Sequence, residues 1–326
     1  MPEIYDTSEP DARAAGIAAA VAALSRGESV GMPTETVYGL AADACNADAV
    51  AAVFAAKDRP RFNPLIVHVA SPDAARAVAA LADPASRLAA AFWPGAMTLV
   101  APKRLEAAIS DLVTAGLDTV AVRVPSHPVA HELLAAFGRP VAAPSANRSG
   151  HVSATTAAHV IADLGDAVSV VLDAGPTPIG VESTVVGFAG DEATLLRPGG
   201  IPRADVERVL GRRLLAPVVD PGAPLAPGML PSHYAPAARL RLAATEVGPG
   251  EALLAFGPTL PIGAENAVET VNLSPSGDVG EAATRFFAAL RRLDRAAETI
   301  AVAPIPDEGL GEAINDRLRR AAAPRG

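Results

Sequence analysis

The sequence predicts an α/β protein in two parts. An N-terminal domain over residues 1–212 is expected on a mixed, α+β-like sheet, and a small parallel α/β domain over 239–326, with a linker or lid at 213–238 between them. Three observations predict this. Up to residue 212, helical and strand-like runs intermix without a strict strand–helix–strand rhythm, which suits a layered mixed sheet. Residues 216–236 hold six prolines and two glycines, and a stretch so poor in backbone donors forms neither a helix nor a central strand. From about residue 239 the pattern turns to strand and helix in alternation, the pattern of a parallel sheet.

The elements follow in order. Residues 13–25 are alanine-rich and stop at Gly27, so they read as a helix. Ser29-Val-Gly-Met32 is a short strand into a Pro-Thr-Glu-Thr turn. Asn46 is a good N-cap for a helix with Val50, Val53 and Phe54 on one face; Lys57 lies in its last turn and Pro60 forbids continuation. Residues 64–69 are a β-branched strand, 73–82 and 84–92 are helical, 97–100 and 119–124 are strands, and 128–137 is a helix. Val141 begins a strand that runs into the polar loop ending at Gly150, and the next helix is expected near Ser153. Residues 168–171 and 183–188 are strands, and Gly190-Asp191 turns the chain back into a strand over 193–198. In the second part, strands are expected at 240–242, 252–256, 267–272 and 298–303, with helices over 278–293 and 309–322.

Composition excludes several classes. The 326 residues are half hydrophobic, ample for a core. The net charge of −9 offers no global positive field for RNA or a membrane. Aromatics at 4 % leave few stacking platforms for single strands. One cysteine, Cys45, permits no internal disulfide and no cysteine-based metal cluster. The acidic N-terminus does not resemble a signal peptide, and apolar runs such as Ala14 to Leu24 are too short to span a bilayer, so a cytoplasmic protein is expected.

Against this apolar background, polar groups crowd one region. Gly31-Met-Pro-Thr-Glu-Thr-Val-Tyr-Gly-Leu40 is followed by Lys57-Asp-Arg59 and Asn63-Pro-Leu-Ile-Val-His68. Buried polar groups are costly unless they bind something, so the density points to a small-molecule site with cationic and hydroxyl contacts. The basic residues are nearly all arginine; the lysines are Lys57 and Lys103. A lysine kept at position 57 suggests a point charge, or chance. Pro144-Ser-Ala-Asn-Arg-Ser-Gly150 sets hydroxyls, an amide and a glycine between a strand and a helix. Alone it reads as an N-cap loop; beside Lys57 and Arg59 it suits a triphosphate. Arg123, flanked by apolar residues, needs an anionic partner, either a ligand carboxylate or an internal salt bridge with Glu35 or Glu182. Arg197-Pro-Gly-Gly200 is an anion contact or a β-turn, and His68 a structural histidine or a neutral imidazole beside a hydroxyl ligand. Ser232-His-Tyr-Ala-Pro236 is chemically richer than a spacer needs. Gly-x-x-x-x-Gly-Lys-Ser/Thr, Gly-x-Gly-x-x-Gly and Gly-x-Ser-x-Gly motifs are all absent, which removes the standard nucleotide loops and the serine nucleophile elbow.

Taken together, Pro33-Thr-Glu-Thr-Val-Tyr-Gly-Leu40, Lys57-x-Arg59, Asn63-Pro-Leu-Ile-Val-His68, Pro144-Ser-Ala-Asn147 and Ser183-Thr-Val resemble the threonylcarbamoyl-AMP synthases, the YrdC-like family. The likeness spans about residues 10–210, and the proline-rich stretch with the terminal domain, Rossmann-like on this reading, resembles the longer two-domain version. The resemblance implies a nucleotidyltransferase that joins L-threonine, bicarbonate and ATP into threonylcarbamoyl-adenylate and releases pyrophosphate, for threonylcarbamoyl-adenosine in tRNA. By matching position, Thr36, His68, Arg123, Ala143 and Ser183 would contact threonine. Arg59, Asn63, Thr119, Ser145, Val152, Arg197 and Tyr234 would contact ATP, and Lys57, Arg59, Ser145 and Asn147 would form a catalytic tetrad around the phosphates. Mg²⁺ would ride on phosphates and water with no dedicated protein ligands. The implied partners are the substrates and downstream tRNA threonylcarbamoyl transferase proteins, without stable nucleic-acid or membrane binding. Two alternatives are a carbamoyl-adenylate enzyme with another acceptor and an RNA-binding module. Fifteen basic against twenty-three acidic residues over 1–210, a net of −8, weigh against the module. Lys57 and Arg59 are expected at an exposed helix end.

Overall fold

The computed structural model describes residues 1–217, 226–229 and 232–324. Its first sheet has ten strands: β1 (Glu3–Asp6), β2 (Val30–Met32), β3 (Gly39–Asp43), β4 (Ile66–His68), β5 (Met97–Pro102), β6 (Thr119–Arg123), β7 (Val141–Ala142), β8 (Val170–Asp173), β9 (Thr184–Ala189) and β10 (Glu192–Arg197). They lie in the order β1-β8-β2-β3-β7-β4-β6-β5-β9-β10. The sheet is mixed: β4 runs parallel to β6 and antiparallel to β7, and β5 runs parallel to β9 and antiparallel to β6.

Among the described residues eight α-helices accompany it: α1 (Pro10–Ser25), α2 (Ala47–Lys57), α3 (Pro72–Val78), α4 (Asp83–Phe92), α5 (Asp111–Thr114), α6 (Pro128–Phe137), α7 (Ala157–Leu164) and α8 (Arg203–Leu210). Residues of α1 and α6 share one apolar cluster with β2 and β8, while α2, α4, α7 and α8 contribute to another around Leu40, Val67, Leu99 and Val122. The local chemistry explains most boundaries. Asn46 accepts from the amides of Asp48 and Ala49 and starts α2 as expected. The helix expected near Ser153 begins at Ala157 instead, because Thr156 supplies the cap by accepting from the His159 amide. The helix expected from residue 13 starts at Pro10, with proline in its first turn where no donor is missed.

The second sheet contains β11 (Arg239–Arg241), β12 (Ala252–Ala255), β13 (Thr270–Asn272) and β14 (Thr299–Val302) in the order β11-β14-β12-β13, with every pair parallel. The helices α9 (Val279–Leu293) and α10 (Gly311–Ala322) bury their apolar stripes against it. This is the small parallel α/β domain that the strand–helix alternation predicts. Its core is not self-contained: Phe286, Phe287 and Ile314 cluster with Val37, Val152 and Val181 of the first domain and with Tyr234. Of the stretch 213–238, residues 218–225 and 230–231 lie outside the described residues, as do 325–326 at the chain end. Ala226 and Met229 pack on Ile66, Val100, Ala121, Val185 and Leu196, covering the strip of the first sheet beside β4, β6, β5 and β9.

Candidate active site

The cleft lies where the starts of β3, β4 and β9 and the ends of β7 and β10 meet the 226–236 stretch. The strands put Thr36, His68, Arg123, Ala143 and Ser183 on its wall, and all five line one cavity with Arg59, Ser145, Arg197 and Tyr234. Nine of the sequence-selected residues are therefore brought together. Lys57, Asn63, Thr119, Asn147 and Val152 do not line this cavity. Lys57 and Asn147 sit behind the Ser145 loop, Asn63 is fully buried beside Arg59, Thr119 begins β6, and Val152 packs in the apolar cluster with Tyr234.

One half of the cavity is rich in hydroxyls. Thr34 Oγ1 lies 2.9 Å from Thr36 Oγ1 and donates to the Val37 carbonyl at 2.6 Å. Arg123 donates to Thr36 Oγ1 at 2.9 Å, to Glu35 Oε1 at 2.6 Å and to the Gly95 carbonyl at 3.1 Å. The internal salt bridge with Glu35 is thus formed; Glu182, the other carboxylate in reach on sequence grounds, pairs with Arg317 instead. Burial alone would raise the Glu35 pKa, but Arg123 and backbone donors outweigh it and hold the carboxyl below its usual value. His68 Nδ1 lies 3.3 Å from the Ile66 carbonyl. Burial, with Arg123 nearby, pulls its pKa down to about 3, so the ring is neutral and Nε2 is left as the acceptor. Thr98 and Ser183 hydroxyls are 2.7 Å apart.

The other half is cationic. Arg59 is 8 % exposed and donates to the carbonyls of Asn63 and Pro64. Arg197 donates to the carbonyl and hydroxyl of Ser183 and to the Pro227 carbonyl. The register shift between Leu195 and Arg197 on β10 is the local device that turns this side chain, as bulges do. Gly199 is required there: a Cβ would sit 2.4 Å from the backbone of Glu182 and Ser183. Lys57 is 1 % exposed and donates to the carbonyls of Ser145, at 2.6 Å, and Asn147. The expectation that Lys57 and Arg59 lie exposed at a helix end is corrected here: the end of α2 is covered by the 145–149 loop. Among the described residues none of these three cations forms an ion pair. Burial lowers all three pKa values, that of Arg59 to about 10. Both polar atoms of Asn63 and the Oδ1 of Asn147 are buried without a partner among the described residues. Stranded buried cations and amides of this kind are the signature of a site for an anionic, hydrogen-bonding ligand.

Pro227, Gly228, His233 and Tyr234 form the remaining wall. His233 and Tyr234 rings meet edge-on at 4.0 Å, and Tyr234 also faces Phe287 at 5.8 Å. Gly228 has φ 84°, and a Cβ there would lie 2.7 Å from the Tyr234 hydroxyl and 2.8 Å from Arg197 Cδ. The cleft is partly open, and its inner part holds about 40 Å³ of water-accessible space, room for a few waters.

Comparison with known proteins bears on this arrangement. Residues 22–199 match the family model described as "Telomere recombination", which groups Sua5, YciO and YrdC, and residues 201–323 match "Threonylcarbamoyl-AMP synthase, C-terminal domain". The threonylcarbamoyl-AMP synthase of Bacillus subtilis strain 168 is 41 % identical over 331 residues, covering 95 % of this chain and 93 % of that protein. The chain belongs to the threonylcarbamoyl-AMP synthase family. Among solved members, the crystal structure of Pyrococcus abyssi Sua5 complexed with L-threonine superposes with a TM-score of 0.84 at 38 % identity, over 94 % of each chain. A variant of P. abyssi Sua5 with a neighbouring histidine and tyrosine changed to alanine gives 0.86 at 35 % identity, over 99 % of this chain and 96 % of that one.

Sequence reasoning missed Ile66, Pro227 and Gly228 on the cavity wall, and Arg317 behind it. The first three carry no chemical signal of their own. Arg317 had one: it falls on the apolar stripe of α10, between Ile314 and Leu318.

Proposed function

We propose that this enzyme joins L-threonine, bicarbonate and ATP into L-threonylcarbamoyl-adenylate with release of pyrophosphate, and that the product feeds threonylcarbamoyl-adenosine formation in tRNA. The observation that carries the assignment of the ATP half is the set of buried cations without carboxylate partners, Arg59 and Arg197 on the wall and Lys57 behind it. A triphosphate supplies the missing anion.

Threonine occupies the hydroxyl-rich half in this reading. Its carboxylate and hydroxyl take contacts from Thr36, Arg123, His68 and Ser183, with Ala143 beneath. Its neutral amine attacks the bicarbonate carbon and water leaves, giving the carbamate. A carbamate oxygen then attacks the α-phosphorus and pyrophosphate departs. Arg59, Ser145 and Arg197 neutralise the phosphate charge, Asn63, Thr119, Val152 and Tyr234 hold the rest of ATP, and Lys57 and Asn147 support the Ser145 loop. The protein's part is positioning and charge stabilisation, which needs no covalent nucleophile.

Mg²⁺ fits as the counterion of the triphosphate, supplying charge neutralisation. Among the described residues no cluster of three or more His, Cys, Asp or Glu side chains exists, and Glu35 and Glu182 are spent on Arg123 and Arg317. The donors present therefore suit an ion carried by phosphate and water, with the unpartnered Oδ1 atoms of Asn63 and Asn147 as neutral acceptors near the cationic half.

The boundaries 1–212, 213–238 and 239–326 belong to the same proposal, with the middle stretch as a lid. Tyr234 and His233 wall the cleft, and in this reading the stretch moves to admit threonine and ATP and closes to exclude water. A cytoplasmic setting and downstream transferase partners complete the reading; no helix among the described residues is long and apolar enough to cross a membrane. The test is ATP–pyrophosphate exchange. Exchange that requires both threonine and bicarbonate supports the assignment; exchange indifferent to threonine, or none, overturns it.

A further inference from the structure

We propose that Arg317, on α10 of the C-terminal domain, is a positioning residue for the ATP half of the cleft, acting through Glu182, the Pro198 carbonyl and the Tyr234 ring. The inference rests on the synthase reading above.

Arg317 is 0 % exposed and sits on the apolar face of α10 with Ala313, Ile314, Leu318 and Ala321. For packing alone an apolar side chain would serve there at least as well, because a buried guanidinium must recover its lost hydration. Part of that comes from Asp316 beside it on α10, 3.2 Å from Nη1, and part from outside its own domain. Nε donates to Glu182 Oε2 at 3.0 Å, and Nη1 donates to the Pro198 carbonyl at 2.5 Å. The guanidinium carbon lies 5.3 Å from the centre of the Tyr234 ring, within cation–π range.

These contacts bracket Arg197. Pro198 follows Arg197 directly. Glu182 lines the cavity and precedes Ser183, whose carbonyl and hydroxyl hold the Arg197 guanidinium. The other Glu182 oxygen accepts from Ser153 Oγ at 2.5 Å. The Ser153 carbonyl in turn accepts from Arg291 on α9, which also takes the Val152 carbonyl and grips Asp163 through two nitrogens. One continuous line thus runs from α9 through Ser153 and Glu182 to α10. Both α-helices of the second domain grip the wall that carries Arg197 and Tyr234 and the Val152 backbone behind it. The hydrogen bonds of Thr36, His68 and Arg123 involve neither helix, and the Ser183 hydroxyl, although it follows Glu182 in the chain, bonds to Thr98 and Arg197 and to neither helix.

A residue that merely glues two domains together lowers stability and the active fraction without favouring one substrate. A residue that positions the ATP wall shifts the ATP KM selectively. Steady-state kinetics of full-length Arg317→Met, Glu182→Gln and the double variant, with ATP and threonine varied in turn, separate the two. We expect each single variant to raise the ATP KM about tenfold or more while the threonine KM stays within about threefold. The double variant should be no worse than the poorer single, because both remove one shared contact. Arg317→Lys, which keeps the charge but not the fork, should fall between wild type and Arg317→Met. Both KM values unchanged, both rising in parallel, or single effects that multiply in the double variant would overturn the proposal. If Arg317→Met does not fold, Glu182→Gln alone reads the same KM ratio. Absence of threonine-dependent exchange in the wild-type protein would instead refute the synthase reading.

Discussion

Replacing Lys57 by methionine keeps the aliphatic stem and removes the ammonium. That ammonium donates to two carbonyls of the loop between β7 and α7, those of Ser145 and Asn147. The backbone bond from the Ser149 amide to the Lys57 carbonyl survives the change. A hydrogen bond from a charged donor contributes about 1.5–3 kcal/mol, so the loop loses about 3–6 kcal/mol of local restraint. An opposing effect reduces the global cost. Burial, with Arg59 adding repulsion, holds the lysine pKa well below its usual value, and removing the charge relieves that penalty. The net loss of stability should be about 1–3 kcal/mol, a fall in melting temperature of about 1–5 °C at this size. Catalysis has no such compensation. Ser145 and Asn147 would be held only by the neighbouring backbone, and a displacement of about 1 Å costs on the order of a hundredfold in rate. Thermal melts and ATP–pyrophosphate exchange with threonine and bicarbonate, run on the same preparation, check both numbers. A folded variant that turns over within about threefold of wild type would refute the argument that the ammonium sets the loop.

Three further outcomes are expected. Valine in place of threonine should lose roughly 10⁴-fold in kcat/KM by leaving the hydroxyl partners of the pocket unpaired, whereas serine forfeits one methyl contact and should remain within about tenfold; comparable turnover of valine and threonine in the exchange assay would sink the pocket assignment. Tyr234→Phe removes a hydroxyl with no hydrogen-bond partner among the described residues, so the melting temperature should hold while the ATP KM rises, and Tyr234→Ala should in addition leave the 213–238 stretch open to limited proteolysis in the presence of ATP and threonine; equal protection in wild type and Tyr234→Ala would reduce the stretch to a tether. The His68 pKa of about 3 lies below the 6.5 of an unfolded histidine, so the unfolded state takes up a proton that the folded state refuses, and stability present above pH 6.5 is lost as pH falls toward 3; the loss at pH 4.5 is about 3 kcal/mol, and His68→Gln should flatten part of the slope in acid denaturation, an unchanged slope ruling His68 out as its source.

Much of the fold is legible where a local rule decides the conformation. Asn46 caps α2 through its own side chain, and the β-branched run Ile66-Val-His68 is a strand by propensity and burial alike. β1 and β3 escaped because their pairing is decided elsewhere in the chain. Gly39-Leu-Ala-Ala-Asp43 has no β-branched residue and becomes a strand only because β2 and β7 flank it. Glu3–Asp6 pairs in parallel with β8, more than 160 residues away. α8 went unread although Val206 and Leu210 mark its buried side. The site divides in the same way. Residue types named Arg59, Arg197, His68 and Ser183, since their chemistry is conspicuous in an apolar chain. Their surroundings were not readable: Lys57 is covered by a loop about 90 residues downstream, and Glu182 is claimed by an arginine 135 residues later.

The two domains share more than a hinge. Tyr234 belongs to the apolar cluster of the second domain and at the same time lines the cavity of the first. Its ring packs on Phe287 and beneath Arg317, while Ala226 and Met229 of the same stretch pack on the first sheet. Withdrawing the tyrosine to admit ATP therefore opens a gap in a hydrophobic core, at a cost of about 2–3 kcal/mol for a side chain of this size. Loss of the cation–π contact adds about 1 kcal/mol. An open population reduced by that energy would slow ATP entry by roughly two to three orders of magnitude relative to an always-open cleft. In the proposed reading the same energy would be returned when the stretch closes behind the nucleotide, where it would exclude water from the carbamate. A free tether between domains would carry neither the penalty nor the return. The placing of Tyr234 in the second domain's core, with its hydroxyl near Arg197 in the first, would make closure and charge neutralisation a single event on the proposed reading.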